Sequence, residues 1–157
     1  MIAIHKIRVY VDTSVFGGVL DKEFSEASQR FFRQVAKENY VVLLSGETLR
    51  ELVGAPEAVR EVWRNLDPNS IEEIEINIEV EQLAKAYVET GVLQMASLSD
   101  ALHVAAATVF GADLILSWNF KHIVNFNRIR GFNGVNVHMG YRSMSIMSPL
   151  EIGDDEE

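Results

Sequence analysis

Three acidic residues border apolar runs, where packing alone does not explain them. Asp12 ends the β-branched run IRVYVD, Glu51 lies in LSGETLRELVG shortly after the apolar run YVVLL, and Asp100 opens the helix-like stretch SDALHVAAATVFG. A carboxylate beside a buried run is unfavourable unless something compensates it, because burial removes its water. A cluster of hard oxygen ligands suits Mg²⁺ or Mn²⁺. The sequence therefore predicts a divalent-metal site built from these three side chains.

Strands and helices alternate along the chain, and this order must bring the three acids together. The hydrophobic periodicity and the turn residues predict strands at residues 7–12, 40–44, 71–76 and 113–117, a last short strand at 135–138, and helices at 24–38, 47–53, 57–65, 79–90 and 100–110. This order predicts an α/β fold, a three-layer α/β/α sandwich with a central parallel sheet of four to five strands. The carboxyl ends of parallel strands share one edge of the sheet, so the acids are expected there.

The composition favours one folded domain. The chain has 157 residues, of which 48% are hydrophobic and 24% charged, so we expect a single domain over residues 1–150 and a flexible acidic tail over 151–157. The chain has no cysteine, which excludes disulfides, thiolate zinc sites and cysteine nucleophiles. No signal peptide and no bilayer-spanning run is visible, so no membrane association and a cytoplasmic location are expected.

The charge is distributed unevenly. The net charge is −9, yet residues 114–150 contain four lysines and arginines and no acid. The same segment carries five aromatic residues, Trp118, Phe120, Phe126, Phe132 and Tyr141. Aromatic rings interleaved with cations suit stacking on bases and contact with phosphates. The alternative is an ordinary C-terminal part of the fold that happens to lack acids.

Four segments, taken in order, resemble motifs of the PIN-domain family of metal-dependent ribonucleases, most closely the VapC-like toxins of type II toxin–antitoxin pairs. The matching segments are VYVDTSVF, LLSGETLREL, LSDALHVAAA and LILSWNFKHIV, which together run from Val9 to Val124. The sequence departs from the family pattern at Asn119, where an aspartate is often found. An asparagine offers a carbonyl oxygen but brings no charge.

The resemblance implies a PIN-like fold and a Mg²⁺- or Mn²⁺-dependent endoribonuclease. Asp12 and Asp100 would be the nearest ligands of the ion, and Glu51 would hold one of its waters or orient the attacking water. Asn119 would complete the catalytic set. The remaining candidates are expected to bind substrate: Ser14, Ser117 and Lys121. The implied partners are an RNA substrate, an antitoxin protein and a second copy of the chain.

Each acid also has a purely structural interpretation. Asp12 could cap the helix that follows it, and Asp100 could simply begin its helix beside Ser99. Glu51 could be a surface acid of its short helix, as its neighbour Glu47 is expected to be. His103, one turn after Asp100, is interpreted as a packed, hydrogen-bonded histidine rather than a ligand.

Other functions are weighed against the nuclease. A PIN-like module weakened by Asn119 would bind RNA or a protein without turnover. A haloacid-dehalogenase-type phosphatase would need a second aspartate two residues after the first, where this chain has Ser14. A nucleotide-binding module is disfavoured, because Gly17 and Gly18 lack the spacing that cradles phosphates.

Overall fold

The computed structural model describes residues 6–153, and a five-stranded parallel sheet runs through its centre. The strands are β1 (Ile7–Val11), β2 (Tyr40–Ser45), β3 (Ile71–Ile74), β4 (Leu114–Leu116) and β5 (Ser145–Met147). Their order across the sheet is β3-β2-β1-β4-β5, and every neighbouring pair is parallel. The predicted α/β class with a parallel central sheet is therefore confirmed.

Seven helices connect and cover these strands within the described residues. They are α1 (Thr13–Gly18), α2 (Ser25–Ala36), α3 (Gly46–Val53), α4 (Glu57–Arg64), α5 (Ile78–Glu89), α6 (Leu98–Val109) and α7 (Phe126–His138). None of them has the length and apolar character that crossing a membrane requires. The short helix α1 directly follows Asp12 and is absent from the helices that the sequence periodicity predicts.

Alternating side chains of the strands build a core on each face of the sheet. In β1, Tyr10 packs into one cluster with α5 and α6, while Val9 and Val11 pack into the other with α1 and α2. All three side chains are fully buried, as expected for the middle strand of a sheet with helices on both faces. Since β1 is central, the residue that follows it emerges in the middle of the carboxyl edge.

The strand predicted at 135–138 is wrong. These residues form the last turn of α7, whose first turn is capped by Asn125 accepting a hydrogen bond from the amide of Arg128. The alternation of VNVH imitates a strand, but Val135 and Asn136 are both buried on the inner face of the helix. The fifth strand is instead β5, which pairs with β4.

The C-terminal boundary can be compared with the structure only in part. Residues 154–157 of the predicted acidic tail lie outside the described residues. Glu151 ends a short 3-10 turn, and Ile152 is buried in the core that holds Val9. The carbonyl of Ile152 accepts a hydrogen bond from Arg30. The division of the chain at residue 150 remains a prediction.

Candidate metal centre

One cavity of about 640 Å³ at the carboxyl edge of the sheet is lined by Asp12, Glu51, Asp100 and Asn119. Asp12 directly follows β1, and its amide donates to the carbonyl of Leu116 in β4. Glu51 lies on α3, Asp100 on the first turn of α6, and Asn119 in the turn after β4. The structure thus brings together the three acids predicted to form a metal site and Asn119, which the family resemblance added to the catalytic set.

The Asp12 carboxylate is nearly buried, with 6% of the residue exposed. It makes no capping hydrogen bond to α1, so the helix-cap interpretation does not explain its position. Its Oδ2 accepts hydrogen bonds from the hydroxyls of Ser14 at 2.7 Å and Ser117 at 2.8 Å. Two hydroxyl donors compensate part of the lost hydration and fix the orientation of the carboxylate.

A buried histidine holds Glu51. His103 is only 1% exposed, and its Nε2 lies 2.5 Å from Glu51 Oε1 and 3.5 Å from Asp12 Oδ1. Its Nδ1 lies 2.6 Å from the Tyr10 hydroxyl. Thr13 donates a second hydrogen bond to Glu51 Oε1 at 2.8 Å. The carboxylate of Glu51 is therefore oriented from two sides, and His103 links it to the core.

The surrounding charges favour the ionised pair of Glu51 and His103. Burial opposes the imidazolium, but Tyr10, Asp12 and Glu51 outweigh it and hold the pKa of His103 well above its ordinary value. Burial also opposes the Glu51 carboxylate, yet His103 and Thr13 bring the pKa of Glu51 below its ordinary value. A protonated Nε2 donates to the carboxylate and cannot ligate a metal. His103 is thus a donor to Glu51.

Asn119 connects Asp100 to the turn after β4. Its amide Nδ2 donates to Asp100 Oδ1 at 3.1 Å, and its Oδ1 accepts from the amide of His122 at 2.9 Å. The ring of His122 contacts the other oxygen, with Nδ1 3.0 Å from Asp100 Oδ2. The asparagine thus uses both halves of its amide. A carboxylate at this position would instead face that of Asp100.

The charged form of the Asp100 carboxyl is disfavoured by its surroundings. Its burial and the nearby Asp12 charge raise its pKa above the ordinary value, although His122 and His103 work in the opposite direction. A carboxyl group whose charged form is disfavoured by burial and by a neighbouring acid in a cavity is characteristic of a functional site.

The structure also identifies an acid that the sequence reasoning misplaced. Glu47 is only 7% exposed, so it is not the surface acid we expected. Arg50 binds it with two hydrogen bonds of 2.6 and 2.8 Å, and Ser99 donates to its Oε2 at 2.8 Å. The Arg50 pair lowers the pKa of Glu47, although burial opposes this. The GETLREL spacing places Glu47 one turn before Glu51, which was the available signal.

The predicted substrate-binding residues separate into two groups. Ser14 lines the acidic cavity, whereas Ser117 is fully buried. Both hydroxyls donate to Asp12 and so orient this carboxylate. Lys121 lines a different cavity, of about 650 Å³, together with Asn125 and Arg128. The turn after β4 therefore contributes Asn119 to one cavity and Lys121 to the other.

The five aromatic residues of the acid-free segment do not form one surface. Phe132 is buried and packs edge-on against Tyr87, and Tyr141 donates to Glu79. Trp118 instead lies at the acidic cavity, where it stacks on Phe24 with 4.1 Å between the ring centroids and 17° between the planes.

A steric prediction follows from the packing of Trp118. A Cβ on Gly18 would lie 2.6 Å from Ser28 Oγ and 2.7 Å from Trp118 Nε1, two atoms that are hydrogen bonded to each other at 2.8 Å. We expect Gly18→Ala to lower the free energy of unfolding by about 1–3 kcal/mol. Gly17→Ala in the same helix is the matched control, because its Cβ would meet nothing within 4 Å. Urea unfolding of both variants checks this, and equal stability would contradict it.

The donor set fits a divalent cation. Ligand atoms of Asp12, Glu51 and His103 all lie within 4.8 Å of one another, and Asp100 and Asn119 line the same cavity. With His103 donating to Glu51, the remaining donors are carboxylate and amide oxygens. Oxygen donors of this kind are those that Mg²⁺ and Mn²⁺ prefer.

Comparison with known proteins gives matches in structure but not in sequence. No protein-family model and no curated protein matches the chain. A chain of VapBC2 from Rickettsia felis, solved with a promoter DNA fragment, superposes with a TM-score of 0.59 at 14% identity, over 90% of this chain and 98% of that one. FitAcB from Neisseria gonorrhoeae superposes with a TM-score of 0.57 at 12% identity, over 92% of this chain and 99% of that one.

A third similar structure is VapC20 from Mycobacterium tuberculosis, described as a toxin that cleaves the sarcin–ricin loop. It superposes with a TM-score of 0.54 at 17% identity, over 71% of this chain and 92% of that one. At such identities the likeness concerns the fold. The chain therefore has the fold of the PIN-domain toxins, as its sequence motifs predict.

Proposed function

We propose that this protein is a divalent-metal-dependent endoribonuclease that hydrolyses RNA phosphodiester bonds and acts as the toxin of a toxin–antitoxin pair. The observation that carries the proposal is the convergence of Asp12, Glu51 and Asp100 on one cavity. The fold of the similar toxin structures supports it.

Mg²⁺ or Mn²⁺ is the proposed cofactor, held by Asp12 and Asp100. When bound, such an ion offsets charge on the scissile phosphate and lowers the pKa of a coordinated water. Glu51 faces the same cavity, and we assign it the orientation of the attacking water. His103 and Thr13 keep the Glu51 carboxylate ionised and in place for this task.

The neighbouring polar residues keep the acids in position. Ser14 and Ser117 restrain Asp12 through its Oδ2, and Asn119 restrains Asp100 through its Oδ1. Asn119 therefore serves as a positioning residue in this proposal. Lys121, at the second cavity, is proposed to contact a phosphate of the RNA away from the cleaved bond.

An antitoxin partner is proposed on the basis of the similar structures. VapBC2 and FitAB are complexes, and both have been solved with DNA fragments. A protein that binds over the cavity at the carboxyl edge would block access to Asp12 and Asp100. Self-association into a homodimer remains a prediction from the family resemblance.

The proposal is tested by RNA cleavage with purified protein. We expect cleavage with Mg²⁺ or Mn²⁺, none with EDTA, and recovery when the ion is restored. Asp12→Asn should lower the rate by about a hundredfold or more, the scale for removing one charge-stabilising group. Asp67→Asn is the control, because Asp67 is exposed and caps a short turn elsewhere. Cleavage that survives EDTA or Asp12→Asn would refute the assignment.

The same assay addresses the alternative of a binding module. The specific observation behind it is the neutral Asn119 where a fourth acid is often found. RNA that binds to the wild type but is not cleaved with either ion would favour the binding module over the nuclease.

A further inference from the structure

Three aromatic rings form a continuous group at the rim of the acidic cavity. We name Phe24, Trp118 and Phe120 the aromatic rim. Phe24 and Trp118 line the cavity itself and stack on each other. Phe120 lies beside both, with its centroid 6.1 Å from that of Trp118 and 6.5 Å from that of Phe24. Asn119, which directly precedes Phe120 in the sequence, donates a hydrogen bond to Asp100.

The aromatic rim is rigidly connected to the carboxylates. The indole N–H of Trp118 donates to Ser28, and the backbone amide of Trp118 donates to Ser14 Oγ at 2.9 Å. The same Ser14 hydroxyl donates to Asp12. These hydrogen bonds connect Trp118, against which Phe24 and Phe120 pack, to the acid at the centre of the site.

The outermost ring is accessible. Phe120 is 46% exposed, whereas Trp118 is 6% exposed. A single exposed phenylalanine is common on protein surfaces. Here, however, the exposed ring lies against a stacked pair that lines an acidic cavity, and it is the most exposed of the three rings.

We propose that the aromatic rim is a nucleobase subsite that stacks one base of single-stranded RNA next to the cleaved bond, with Phe120 as its contact ring. This inference rests on the proposed nuclease function and adds to it a specific base-stacking contact, the ring of Phe120. Bases stack on aromatic rings largely regardless of their identity, so the subsite would position the strand without reading its sequence. A stacked base at a fixed distance from Asp12 would hold the adjacent phosphate at the carboxylates.

The test uses the wild-type protein with Mg²⁺ and an unstructured RNA of on the order of ten nucleotides, the scale of a single-strand site. Phe120→Ala is expected to raise KM by roughly 5- to 150-fold, the range for loss of one stacked base, with a much smaller change in kcat. Phe120→Trp should retain the wild-type KM. Phe120→Leu, which keeps apolar area but lacks a ring, should behave like the alanine variant.

A second comparison ties the effect to a base. The wild type should bind an RNA with an abasic ribose beside the cleaved bond more weakly than it binds intact RNA. The Phe120→Ala variant should bind the abasic and the intact RNA equally well. Val137→Ala is the control, since Val137 is a 61% exposed apolar residue of α7 away from the cavity. Its KM should be unchanged.

The outcomes distinguish the two proposals. If the wild type fails to cleave any RNA with either ion, the nuclease function falls and the subsite with it. If the wild type cleaves while Phe120→Ala has the same KM, or if abasic and intact RNA behave alike in the wild type, the nuclease stands and the nucleobase subsite is refuted.

Discussion

Asp100→Asn is expected to abolish RNA cleavage and at the same time to stabilise the metal-free protein at neutral pH. The variant removes a proposed ligand, so the rate should fall by about a hundredfold or more. An asparagine can still accept from Asn119 and contact His122, so the fold should be retained. Burial and the nearby Asp12 disfavour the charged carboxyl and raise its pKa. A neutral amide avoids this penalty.

The sign of the pH dependence follows from the raised pKa. The folded protein holds the Asp100 proton more tightly than the unfolded chain, so stability rises as pH falls through the folded-state pKa towards the ordinary value. This rise should be absent from Asp100→Asn. Conversely, Mg²⁺ should raise the melting temperature of the wild type but not of the variant, because a ligand stabilises only the state that binds it.

Thermal melts in EDTA and in Mg²⁺, with cleavage rates beside them, check this prediction. Asp67→Asn serves again as the control and should change neither property. A variant that is less stable than the wild type in EDTA, or that still gains stability from Mg²⁺, would show that Asp100 is a structural acid and not a ligand.

His103→Gln is expected to cause the largest loss of stability among the site variants. The imidazole is buried and connects Tyr10 to Glu51 at 2.6 and 2.5 Å. Glutamine can replace one of these contacts but not both, and it carries no charge. We expect a loss of about 1–3 kcal/mol from the unpaired buried group, together with a lower cleavage rate because Glu51 is no longer held.

The pH dependence identifies the role of the His103 charge. Burial opposes the imidazolium, but Tyr10, Asp12 and Glu51 together raise the pKa of His103 well above its ordinary value. The stabilisation is therefore complete below the ordinary pKa and is lost as pH rises through the folded-state pKa. The difference in unfolding free energy between wild type and His103→Gln should accordingly shrink with increasing pH.

Urea unfolding of metal-free protein from about pH 6 to about pH 9 measures this difference. The matched control is His138→Gln, since His138 ends α7 in solvent. A difference that stays constant over this range would contradict an ionised His103.

The central parts of the fold and the convergence of the acids follow from local patterns. Runs such as VVLL and the acid directly after β1 carry enough information, because a parallel sheet places every strand end on the same edge. The sequence patterns gave wrong predictions where the structure of a segment depends on contacts with residues that are distant in sequence. The VNVH alternation was interpreted as a strand, although Asn136 is buried and accepts from Tyr87 at 2.5 Å.

The role of each site residue depended even more on distant partners. Nothing near Glu47 in the sequence shows that Ser99 approaches it, and nothing near His103 shows that the Tyr10 hydroxyl lies against its ring. Aromatic residues at 118 and 132 looked alike in the acid-free segment, yet one lines the cavity and the other is in the core. The contacts of a side chain with residues distant in sequence depend on the tertiary structure, and a single sequence does not reveal them.

The central position of β1 has a consequence for the newly synthesised chain. Asp12 and its hydroxyl donor Ser117 are 105 residues apart, and the partner strand β4 begins at Leu114. A nascent polypeptide that has left the ribosome only through α5 already contains Asp12 and Glu51, but it has neither Asp100 nor the strand that orders the first acid. The proposed metal site therefore cannot assemble until Asp100, β4 and Ser117 have also left the ribosome.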